Sequence, residues 1–131
     1  MDFANSVTTN CDWTIMMPDN YDGGTLDVEF VWTTGTSGSG DVTWGIEGFA
    51  VGNGGTLDYA QSGATEVIDT FIAMNDVHIS TAGTLTLENS PSGGDIVQIR
   101  VYRKGASDTF TKTAKLIAVR LKYSIDSYSD V

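Results

Sequence analysis

A single cysteine, Cys11, stands among the 131 residues. No disulfide can form within the chain, and its stability does not rest on an oxidising compartment. The lone thiol reads as a small apolar filler. No lysine or arginine precedes Arg100, whereas fourteen of the 17 acids do. The net charge of -10 argues against a nucleic-acid partner, because phosphate binding relies on basic side chains to release counterions. Nowhere do eighteen apolar residues run together, which excludes a membrane-crossing helix. The first ten residues, MDFANSVTTN, lack the basic and apolar regions of an export signal, so the protein is expected to be soluble and not exported by the standard signal. Apolar spacing of the helical kind is nearly missing, and with it any expectation of helices.

What remains is a β-sequence. Thr, Val, Ile and aromatic residues fill the runs, and Gly, Asn, Asp and Ser cluster between them. In TLDVEFVWTT, Leu26, Val28, Phe30 and Trp32 share one face, and Asp27 and Glu29 share the other. In DVTWGIEGF, Val42, Trp44 and Ile46 alternate with Thr43, Gly45 and Glu47, and Gly48 signals a bulge or bend. Val97, Ile99 and Val101 form the apolar face of DIVQIRVYRKG, and Ile117, Val119, Leu121 and Tyr123 that of the last run. Val77, Ile79, Leu85 and Leu87 are expected inward, which turns His78 outward to solvent. With CDWTIMM near the start, about eight strands result. The expected fold is an all-β, two-sheet antiparallel β-sandwich of the jelly-roll type, spanning residues 11–125, with polar arms at 1–10 and 126–131.

Trp13, Trp32 and Trp44 all fall on inward positions. Burying one indole removes roughly 200 Å² from water, worth on the order of 5 kcal/mol at ~25 cal/mol per Å², so the expectation is that all three fill the core. Between the first two long strands lies MMPDNYDGG. Pro18 cannot donate to a ladder, and the Asp, Asn and Gly residues supply a reversal, so the stretch reads as a corner. Calcium is disfavoured there, because Tyr21 and Gly23 occupy positions at which an EF-hand loop needs oxygen ligands.

No catalytic constellation emerges: G-x-S-x-G, H-E-x-x-H and the Walker loop are all missing, and neither GTSGSG nor GNGG leads into a helix that could hold phosphate. The chain is read as non-enzymatic, without metal or cofactor. The charge split suggests two uses for the basic residues. Arg120 and Lys122 can face Asp27 or Glu29 across a sheet, while Arg100, Arg103, Lys104 and Lys112 can form a subunit or particle interface that docks copies head to tail, as a ring of three. A competing reading is a glycan-binding module that stacks sugars on Tyr21, Trp44 and Tyr59.

The order MPDNYDGGTLDVEFVWTT, SGDVTWGIEGFAVGNGGTLD, VQIRVYRKG and AKLIAVRLKYS resembles small proteins encoded among the virion genes of tailed bacteriophages, over residues 11–125. The M-P-x-x-Y-x-G-G corner and the SGDVxWG strand carry most of the likeness. The resemblance implies a jelly-roll structural protein of the virion, a head decoration or tail accessory that assembles in the host cytoplasm with other virion proteins. It brings no catalytic residues. A longer acidic insertion expected between the fourth and fifth strands is missing here.

Overall fold

The structure is a computed structural model and describes residues 1–125. Its strands are β1 (Asp2–Phe3), β2 (Thr8–Met16), β3 (Leu26–Thr33), β4 (Asp41–Val51), β5 (Thr65–Thr70), β6 (His78–Ile79), β7 (Gly83–Leu85), β8 (Ile96–Lys104) and β9 (Ala114–Lys122). One sheet runs β1-β9-β3-β6, with β7 also on β3, and the other runs β2-β8-β4-β5. All pairings are antiparallel.

β6 and β7 both hydrogen-bond to β3, so they act as two halves of one broken strand. The pairs are then first with last, second with penultimate, and so inward to β4 with β5. This is a long hairpin rolled into two sheets, the jelly roll expected from the alternation. Burial alternates along β3 from Leu26 to Thr33 and along β8 from Ile96 to Lys104, as period-two strands with one covered face require.

The core centres on aromatic rings. Phe3 meets Trp44 edge-on at 5.2 Å between centroids, Phe30 stacks on Trp44 at 5.9 Å, and Phe110 stands edge-on to Trp32 at 5.8 Å. Trp32 and Trp44 are fully buried as expected. Trp13 is not: it holds an inward position on β2 yet stays 39% exposed.

Four further expectations are corrected. The polar arm at 1–10 belongs to the sandwich, because Phe3 is driven into the core and β1 pairs with β9. The arm expected at 126–131 lies outside the described residues. Val77 and Ile79 are exposed and His78 is buried, the one-residue phase reversal to which short strands are prone. The imidazole is kept inside by two backbone groups and two rings. Its Nε2 accepts from Ile72 N–H (2.9 Å), which puts the proton on Nδ1, facing the Asp76 carbonyl (3.0 Å), and the ring stacks between Trp32 and Phe71. In β9 the register against β3 shifts between Val31 and Trp32, so Ile117 is extruded while Leu116 and Ala114 turn inward. Finally, the β4–β8 ladder runs unbroken through Gly48. Glycine is needed there for closeness, since a Cβ would stand 2.9 Å from Leu87 Cδ2.

Candidate functional site: an open flank between two strand edges

The two sides of the sandwich close differently. On one, β5 abuts β7, where the Thr65 hydroxyl donates to the Thr84 carbonyl (2.6 Å), and the chain from 71 to 77 crosses between the sheets. On the other, β2 is the edge of its sheet, and β9 has only the two residues of β1 beside it. Beyond Lys115 that edge of β9 has no strand partner among the described residues.

Both ends of this second flank are shut. At one end the chain crosses from β1 to β2 beneath Phe3. At the other, the MMPDNYDGG corner crosses back: Tyr21 is buried, bridges to Ile125, donates its hydroxyl to the Gly24 carbonyl, and meets Tyr123 edge-on at 6.3 Å. Burial first, and the neighbouring Asp22 second, push its phenol above the ordinary tyrosine value. The corner is therefore a plug.

Between the plugs the sheets gape. A cavity of about 230 Å³ is lined by Trp13, Ile15, Ile46, Ile99, Ala118, Val119 and Leu121. A second of about 190 Å³ adjoins it through the shared residues Ile15 and Leu121 and extends to Met17, Pro18 and Tyr123. The walls are almost wholly apolar, and the rims are two strand edges with unpaired backbone groups. Covering the exposed part of Trp13 alone removes on the order of 100 Å², about 2.5 kcal/mol at ~25 cal/mol per Å². Apolar surface beside free edges is what proteins cover with another chain.

Comparison with protein-family models, with curated proteins and with solved structures finds no match for this chain. What the site can do therefore has to be argued from its own residues.

The residues expected to form an interface are not brought together as one. Arg103 is fully buried, because it continues the inward row of Val97, Ile99 and Val101 on β8. Its five N–H groups are all used: Nε and Nη2 grip Asp108 at 2.7 and 3.0 Å, Nη1 donates to the carbonyls of Phe3 (3.0 Å) and Lys112 (2.7 Å), and Nη2 also donates to that of Phe110. It is an internal rivet between β8, the β8–β9 loop and β1. Arg100 lies on the outer face, held by Asp12 (2.9 Å) and near Glu47 (3.8 Å), and the Asp12 hydrogen bond raises its guanidinium above the usual arginine value. Lys104 reaches Glu66 at 3.3 Å. Lys112 is exposed and joins no ion pair among the described residues. Arg120 and Lys122 do face acid across the sheet, both at 3.2 Å from Glu29.

The glycan platform fares similarly. Tyr21 and Trp44 are buried and show no ring face to solvent, and Tyr59 spends one face stacking on Phe49 at 5.0 Å. Trp13, assigned to the core by its strand phase, is the exposed indole. The missed signal lay in the facing sheet: a two-residue β1 cannot cover the nine-residue edge of β9.

Proposed function

We propose that this chain is a non-enzymatic structural protein that works by self-association, a jelly roll that decorates or attaches to the capsid or tail of a phage particle. The single observation that supports association is the open flank, where Trp13, Ile15, Val119 and Leu121 line an apolar cleft between two free strand edges. The particle comes from the sequence resemblance. A ring of three copies is the assembly expected.

Charge favours that flank as the meeting place. The chain carries -10 overall, so copies repel over most of their surface. Most of the ion pairs of β8 and β9 lie on the strands that border the cleft, Arg100 with Asp12, Lys115 with Asp2, and Arg120 and Lys122 with Glu29, while Lys104 reaches across to Glu66 on β5. Light scattering on the eluting protein tests the proposal: a mass of three chains is the expected result, and a single-chain mass at micromolar concentration refutes it. Placement on a particle is checked by density for the sandwich on the capsid or tail in electron micrographs.

A further inference from the structure

Opposite the open flank the molecule carries a second apolar surface of different shape. Residues 68–79 leave β5, cross the closed flank and enter β6. Along this path Ile68, Ile72, Met74, Val77 and Ile79 are all exposed, by 47–69%. These are large apolar side chains that form an exposed crest along the closed flank. The segment also carries two acids, Asp69 and Asp76, and no lysine or arginine. Thus the cleft is an apolar trough bordered by ion pairs, whereas the crest is a row of exposed apolar side chains with two acids among them.

Strand direction adds a second constraint. The sheet β2-β8-β4-β5 has four strands, every neighbouring pair antiparallel, with β2 and β5 as its two edges. Because the number is even, a copy placed beside another without being turned over brings β5 antiparallel to the neighbour's β2. Backbone pairing can then continue from copy to copy. A copy related by a two-fold axis would instead set cleft against cleft, joining two concave surfaces and leaving the crest uncovered.

We infer that the interface is heterologous: the aliphatic crest of residues 68–79 on one copy seats in the Trp13–Leu121 cleft of the next, with β5 extending the neighbour's sheet at β2. This rests on the self-association proposed above. Such a contact repeats around a closed ring when its rotation closes, and runs on as a filament when it does not.

Two single-face variants distinguish the arrangements. Trp13→Asp disables the cleft and keeps the crest; Ile72→Asp with Met74→Asp disables the crest and keeps the cleft. Circular dichroism and urea midpoints establish that each variant folds, and Trp13→Ser replaces Trp13→Asp should the latter unfold. By light scattering, each variant alone is expected to run as one chain, while an equimolar mixture gives a two-chain species and nothing larger, since each pair buries one good cleft and one good crest. A crest variant that assembles like the wild type overturns the inference in favour of cleft against cleft. A mixture that stays at one chain also overturns it, provided the wild type still associates. A wild type that is itself a single chain removes the underlying self-association as well.

Discussion

Replacing Arg103 by methionine should nearly exhaust the stability of the fold. The guanidinium and the Asp108 carboxylate are both fully buried, and the guanidinium places all five donors on five partner atoms. Methionine fills much of the volume but donates nothing. Asp108 keeps only the Thr43 N–H at 3.3 Å, and the carbonyls of Phe3, Lys112 and Phe110 lose the donor they share. Breaking a buried pair from one side costs about 3–5 kcal/mol, against a total of roughly 5–15 kcal/mol for a domain. At about 3–5 °C per kcal/mol for a chain of this size, the melting temperature should fall by roughly 10–20 °C. Urea unfolding followed by fluorescence of Trp32 and Trp44 measures the loss. The cause can be separated from simple packing damage: Arg103→Met with Asp108→Leu removes the stranded charge, and should be more stable than Arg103→Met alone. A single variant within about 1 kcal/mol of wild type, or a double variant less stable than the single one, would refute the reasoning.

Three smaller effects follow from the same geometry. His78→Leu removes the acceptor of the part-buried Ile72 N–H and should cost about 1 kcal/mol in urea unfolding. A Cβ at Gly45 would stand 2.1 Å from Tyr102 Cζ, because that ring lies flat across β4 to donate to Glu66 (2.9 Å). Gly45→Ala should therefore cost about 1–3 kcal/mol, and in a Tyr102→Ala background much less, which a double-mutant cycle reads directly. Burial first, and the Glu66 hydrogen bond next, raise the Tyr102 phenol above the ordinary tyrosine value of 10.0. Above that pH the unfolded chain loses the proton and the folded one keeps it, so stability falls as pH rises past 10. Tyr102→Phe should flatten that alkaline decline in urea midpoints, and an unchanged slope would count against the assignment.

The parts of this fold that could be read from the sequence are those where one face of a long strand is covered by the other sheet. Leu26 to Trp32 and Val97 to Val101 alternate cleanly and are buried as expected. Where the reading failed, a local polar or geometric term outweighed the alternation. Arg103 looks like a surface cation because arginine is rarely interior. Only the folded loop reveals that Asp108 and three carbonyls wait for it. Alternation with Val77 and Ile79 turns His78 outward, yet two backbone groups and two rings satisfy it within the core. Ile117 was assigned inward because nothing local marks the register shift opposite Val31 and Trp32.

The cleft shows most sharply what period-two reasoning leaves out. Alternation says which face of β2 and β9 turns inward, and it is right for Trp13, Ile15, Val119 and Leu121. It does not say whether the layer above extends far enough to cover them. That depends on how far a strand runs along β9, and among the described residues the antiparallel pairing of Asp2 with Lys115 and Phe3 with Ala114 reaches no further than the backbone bonds of Met1 with Leu116. With β1 cut short, two strand edges and an apolar trough remain open on a molecule whose remaining surface is strongly acidic. The same brevity that spoils the sequence reading of Trp13 is thus what leaves open the apolar cleft from which the proposed self-association is argued.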